Sequence, residues 1–230
     1  MNESPSSLPP DGKLLMPLSP ALGRVVAVIT LEAEEQAAPI ARALLEGGVH
    51  TVELTLRTPV ALAALRAMRA AAPNLLLGAG TVLTPRQADE ARDAGADFVL
   101  APGLDTACVR HCAKIGMPVV PGIATASDIQ AALTLGCRLL KFFPAEPLGG
   151  VRGLRTLAAP FAHLNVRYLP LGGIDAAKAP AYFAERCVAA LGGSWIAPAN
   201  LIRQREWDAI RARAEEASAL AATSPAEVER

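Results

Sequence analysis

Short runs of β-branched and large apolar residues alternate along this chain with longer alanine-rich stretches, in which apolar positions recur every three or four residues. The short runs are VVAVIT (25–30), TVELTL (51–56), LLLGAGT (75–81), DFVLAP (97–102), PVVPGI (118–123), LLKFFP (139–144), VRYLPLGGI (166–174) and VAALGGSWI (188–196). Each is followed by a helical pattern, and successive strands start about 20 to 25 residues apart. Alternation of this kind predicts a parallel sheet with right-handed crossovers. Eight repeats predict an α/β fold of the (β/α)8 TIM-barrel type, a single domain over residues 21–222. Residues 1–20, rich in proline and serine, read as a flexible N-terminal leader, and residues 223–230 as a C-terminal tail. A doubly wound open sheet is the main alternative. It ordinarily opens with a GxGxxG turn after the first strand, whereas here Thr30 is followed by LEAEEQ.

Side chains alternate between the two faces of a strand. In the second strand Glu53, Thr55 and Arg57 therefore share one face, opposite Val52, Leu54 and Leu56. In the sixth, Leu139, Lys141 and Phe143 oppose Leu140 and Phe142. Apolar faces suit the surrounding helices, so the polar faces point inward. Lys141 then stands as the one charge in an apolar run, and burying an ammonium without a partner costs several kcal/mol. The structural explanations are a lysine whose head reaches water and one half of a buried ion pair. The functional one is an amine nucleophile toward a carbonyl, a task for which enzymes use lysines in apolar surroundings. Glu53, Arg57 and Lys141 on inward faces, with Thr81 at the end of the third strand, make an interior more polar than packing requires, which favours function.

Composition narrows the field. Lysine plus arginine and aspartate plus glutamate both number 22, with no basic stripe interleaved with aromatics, so nucleic acid is not an expected partner. No apolar run is long enough to span a membrane, and the N-terminus lacks a secretory pattern, which predicts a cytoplasmic protein. Cys108 and Cys112 lie one helical turn apart, Cys137 and Cys187 stand alone, and none has zinc-type spacing. All four read as reduced core or helix residues. His50, His111 and His163 form no HxH or HxxxH pair, so no metal and no cofactor is expected.

The candidate residues suit carbon–carbon chemistry. A Lys141 amine condensing with a ketone gives an iminium that draws electrons from the neighbouring carbon, and Glu53 is placed to act as general base. The Arg57 fork suits a substrate carboxylate, Thr81 offers a hydroxyl, and Phe143 is a candidate substrate contact beside Lys141. Gly172, Gly173 and the Gly192-Gly193-Ser194 run fall at the seventh and eighth strand ends, where barrels hold phosphate. A phosphate-sugar isomerase or epimerase using Glu53 and Lys141 as acid and base is an alternative from another class. A scaffold without turnover gains nothing from buried charge.

VELTLRT (52–58), GAGTV (78–82), ADFVLAPG (96–103), PVVPGIAT (118–125), KFFPAE (141–146), GGI (172–174) and GGSW (192–195) together resemble the 2-keto-3-deoxy-6-phosphogluconate (KDPG) aldolase family, also called KHG/KDPG aldolases. The resemblance runs from about Val25 to Trp207. It implies a class I aldolase, a homotrimer of (β/α)8 barrels in the Entner-Doudoroff pathway, that cleaves the sugar acid to pyruvate and glyceraldehyde 3-phosphate. By motif position it implies Lys141 as Schiff-base lysine, Glu53 as proton shuttle, Arg57 and Thr81 at the pyruvyl end, and Gly172, Gly173 and Ser194 near the phosphate. The seventh strand reads PLGGI where the family pattern resembles PTGGI, so Leu171 replaces a hydroxyl. The same chemistry on 4-hydroxy-2-oxoglutarate or on the phosphogalactonate epimer is therefore the nearest alternative.

Overall fold

Nine short strands, parallel wherever they pair, run through residues 23–223, which the computed structural model describes. They are β1 (Val25–Ile29), β2 (Thr51–Thr55), β3 (Leu76–Gly80), β4 (Phe98–Leu100), β5 (Val119–Val120), β6 (Gly122–Ile123), β7 (Leu139–Phe142), β8 (Arg167–Pro170) and β9 (Leu191–Gly193). Between and after them come α1 (Ala37–Glu46), α2 (Ala61–Ala71), α3 (Pro85–Asp93), α4 (Thr106–Lys114), α5 (Ala126–Thr134), α6 (Gly150–Ala158), α7 (Ala179–Phe183), α8 (Ala199–Gln204) and α9 (Trp207–Ala222). The expected leader lies outside the described residues, as does the expected tail beyond Thr223.

The strands form two sheets, a curled one in the order β5-β4-β3-β2-β1-β9 and a smaller one in the order β6-β7-β8. This departs from the expected single ring of eight. The fifth expected strand divides at Pro121, which has no N–H to give to a ladder. The Pro121 carbonyl accepts the Lys141 amide at 2.9 Å. The seventh strand ends at Pro170 rather than Ile174, because Gly172 and Gly173 adopt φ of +102° and +81°, outside any strand conformation. The eighth narrows to three residues, preceded by a parallel bridge between Tyr168 and Val188.

Alternation sorts the strand residues into two apolar groups. Val52, Leu54, Leu140, Phe142 and Tyr168 pack outward against the helices in a large core. Val26, Phe98, Leu100, Val120, Leu169, Leu171 and Ala190 form a second, inner cluster drawn from both sheets, with Leu139 and Phe143 packed against it. The glycines of β3 fit this inner space: a Cβ at Gly78 would lie 2.5 Å from the Phe98 ring. Gly78–Gly80 is thus strand, as the run 75–81 predicts. All four cysteines are free, and burial pushes the Cys137 thiol up to about 12.

Helices are anchored at the strand starts by polar contacts of α2. Arg69 donates to the carbonyls of Gly95, Pro73 and Leu75 at 2.9–3.0 Å and pairs with Asp97, which accepts the Leu77 amide at 2.7 Å. One cation thus satisfies three orphan carbonyls at the entries to β3 and β4. Arg69→Met is expected to lower unfolding free energy by about 2 kcal/mol, read from the denaturant midpoint at unchanged slope.

Candidate active site

β2 and β7 belong to different sheets, and each sends one ionisable side chain inward. Lys141 Nζ donates to Glu53 Oε1 at 2.8 Å. Lys141 is 5% exposed and Glu53 1%, so the lysine is one half of a buried ion pair. Removing either charge strands the other in a low-dielectric interior, which is why such pairs are made or lost together. Among the described residues Glu53 Oε2 accepts no hydrogen bond. It is an open acceptor beside the amine.

The carboxylate is placed by what is missing across from it. Gly80 pairs with Thr55 in register, and a Cβ there would lie 2.2 Å from Glu53 Oε1 and 2.5 Å from its Cγ. Only glycine leaves room for the Glu53 side chain to cross β3. On the other side, the Lys141 ammonium lies 5.2 Å from the centre of the Phe143 ring, within cation–π range.

Immediately after Gly80 the chain turns at Thr81, a non-glycine residue with φ of +60°. This sparsely populated conformation is frequent at functional sites. Thr81 Oγ1 accepts a hydrogen bond from Arg57 Nε at 3.3 Å, joining the strand ends of β2 and β3. Arg57 is exposed and Thr81 half-buried, so this pair lies nearer solvent than the buried one. Gly172 sits against Phe143, where a Cβ would come 3.2 Å from the ring. Leu171 is 3% exposed in the inner cluster and abuts Gly192. Ser194 is exposed just past β9.

The structure thus brings together Glu53, Lys141, Phe143 and Gly172, with Arg57 and Thr81 above. Gly173 and Ser194 lie at the strand ends without a contact to the lysine. Two features escaped the sequence reading. Thr55 was read as inward-facing, but its hydroxyl lies 2.7 Å from that of Thr30, just past β1, and this partner was not foreseen; strand parity with Val28 is the signal that identifies Thr30. The other is the compulsory glycine at 80, which only the register with β2 makes visible. Among the described residues no three His, Cys, Asp or Glu side chains gather as a metal set, and no helix is long and apolar enough to cross a membrane.

A buried amine hydrogen-bonded to a carboxylate, on the inner face of parallel α/β sheets, has the parts of a class I aldolase, a carbon–carbon lyase that works through a Schiff base. Comparison with known proteins gives the same class. The sequence model of the aldolases described as KDPG and KHG aldolase matches residues 20–213. A 2-dehydro-3-deoxy-phosphogluconate aldolase of Treponema pallidum is 46% identical over 189 residues, 82% of this chain and 89% of that protein. The KHG/KDPG aldolase of Escherichia coli K12 is 42% identical over 195 residues, 85% and 91% of the two chains. In three dimensions the chain is similar to the KDPG aldolase of Legionella pneumophila, with TM-score 0.83, 37% identity, and coverage of 86% of this chain and 95% of that one. That crystal structure holds pyruvate captured as a covalent carbinolamine. The chain belongs to the KDPG and KHG aldolase family.

Three variants test the site as built. Lys141→Met leaves Glu53 buried and unpaired and is expected to cost about 3 to 5 kcal/mol of stability, whereas Lys141→Met with Glu53→Leu recovers most of it in chemical denaturation. Gly80→Ala displaces the Glu53 carboxylate by the bulk of one methyl group. It is expected to lower kcat about 100-fold, measured by steady-state kinetics, with the circular-dichroism spectrum unchanged.

Proposed function

We propose that this enzyme cleaves 2-keto-3-deoxy-6-phosphogluconate to pyruvate and glyceraldehyde 3-phosphate through a Schiff base on Lys141. The observation that carries the proposal is the 2.8 Å contact between buried Lys141 and Glu53, with Glu53 Oε2 open. Proton transfer within that contact gives a neutral amine and a carboxylic acid. The amine adds to the C2 ketone, and the carbinolamine loses water as Glu53 returns its proton. Glu53, again a carboxylate, then takes the proton of the C4 hydroxyl. The C3–C4 bond breaks, its electrons pass into the iminium to give an enamine, and glyceraldehyde 3-phosphate departs. Glu53 protonates the enamine at C3, and water releases pyruvate.

In this reading Arg57 and Thr81 hold the pyruvyl carboxylate, Phe143 walls the iminium, and Gly172, Gly173 and Ser194 take the distal phosphate. Leu171 favours a second reading within the same chemistry. It offers no hydroxyl to the aldehyde half, which suits 4-hydroxy-2-oxoglutarate or the phosphogalactonate epimer equally well.

The proposal extends to the architecture. The two sheets are arcs of one closed (β/α)8 barrel forming a single domain. Supporting this are the direct passage from β5 through Pro121 into β6, the Tyr168–Val188 bridge between β8 and the approach to β9, and an inner cluster shared by both sheets. A cytoplasmic homotrimer acting on a small keto-acid in the Entner-Doudoroff pathway completes the reading. Sedimentation showing only monomer at micromolar concentration would remove the trimer.

Borohydride reduction in the presence of pyruvate, followed by peptide mass spectrometry, is expected to place a pyruvyl adduct on Lys141. Glu53→Gln is expected to lower cleavage by about 100 to 10,000-fold. Folded protein that forms no adduct overturns the aldolase assignment of Lys141 and promotes an isomerase or epimerase.

A further inference from the structure

The turn after β8 carries charges that the Schiff-base chemistry leaves unused. Gly172 and Gly173 both take left-handed φ, and both their carbonyls accept hydrogen bonds from protein donors. The Gly172 carbonyl accepts the Glu146 amide at 3.0 Å, and the Gly173 carbonyl accepts Lys178 Nζ at 2.9 Å. A peptide group is planar with its N–H opposite its C=O. Tying back these two carbonyls therefore aims the amides of Gly173 and Ile174 the other way. Neither amide donates to a protein group among the described residues. Successive free amides in a turn form a concavity for an anion.

Lys178 fixes the second of these peptides and also sets the local charge. Its Nζ lies 3.1 Å from Asp175 Oδ2 and 3.7 Å from Glu146 Oε2, and its amide donates to Asp175 Oδ1 at 3.0 Å. Glu146 is held in turn by the Tyr182 hydroxyl at 2.7 Å. Hydrogen bonds from Lys178 hold the Asp175 carboxyl below its usual range, and the bond to Asp175 holds the Lys178 ammonium above its own, so both are charged at neutral pH. Two carboxylates and one ammonium leave one negative charge beside the turn. Without the ammonium there would be two, facing an arriving phosphate.

We propose that Lys178 is a positioning residue for phosphorylated substrate: it orients the Gly173–Ile174 peptide toward the phosphate and offsets the Asp175 and Glu146 carboxylates. The proposal rests on the reading that the distal phosphate binds at this turn. It also gives Asp175, an unfavourable neighbour for a phosphate by itself, a cation that cancels it.

The test compares the sugar-acid phosphate with unphosphorylated 4-hydroxy-2-oxoglutarate, and uses inorganic phosphate as a competitive probe. Lys178→Met is expected to raise KM for the phosphorylated substrate and Ki for inorganic phosphate about tenfold together. The loss is confined to these two constants, and Lys178→Arg restores them. Asp175→Asn, which deletes a carboxylate and keeps the contact to the Gly173 carbonyl, is expected to lower the same KM. It serves as the second arm should Lys178→Met fold poorly. Equal changes for both substrates, or no change for either, overturn the role of Lys178. Failure of the underlying reading looks different: wild-type enzyme then shows no preference for the phosphorylated substrate and no competition by inorganic phosphate.

Discussion

The bond between Lys141 and Glu53 is the constraint around which the inner face is arranged. It joins two sheets that share few backbone hydrogen bonds, and both of its groups are almost wholly buried. An ammonium and a carboxylate in that position are tolerable only together. Their meeting needs β7 and β2 in fixed register with their neighbours, a strand glycine at 80 to admit the carboxyl, and an apolar layer of Val26, Phe98, Leu100 and Leu169 beneath. On the function proposed for the site, its chemistry and the packing of this interior rest on the same set of contacts.

Around that bond the inner wall is divided. Glu53 comes from the middle of β2, and Arg57, Thr81, Thr30 and Thr55 from the ends of β1, β2 and β3 or just past them. Phe143 and Leu171, just past β7 and β8 of the other sheet, are apolar. Charge and hydrogen bonding are therefore concentrated on one side of the amine. The other side contributes shape, and at its rim the Gly172–Gly173 turn contributes backbone amides.

Much of this was legible in the sequence. Parity along LLKFF and VELTLR placed Lys141 and Glu53 on inward faces, because a strand side chain has only two directions to take. It could not give their separation, since residues 88 apart in sequence meet only through the order of the strands. The division at Pro121 was visible in PVVPGI but was read as one strand, because hydrophobicity marks a strand and a missing amide proton does not change it. Gly78 and Gly80 fell inside a predicted strand, but nothing in the sequence said why glycine was needed there. Their strand conformation is set by Phe98 and Glu53, which occupy the space that side chains would take. Lys178 was invisible as a partner of the diglycine turn, because a lysine in a polar loop has no pattern that distinguishes it from a solvated one.

The separation in sequence has a consequence for how the protein is made. Chains emerge from the ribosome N-terminus first, so β1 to β4, with Glu53 on the inner face of β2, exist before Lys141 has been synthesised. Until the lysine arrives, closing the apolar layer over Glu53 would entomb a lone carboxylate. The closed interior therefore has a partner for the Glu53 charge only once β7 has been made.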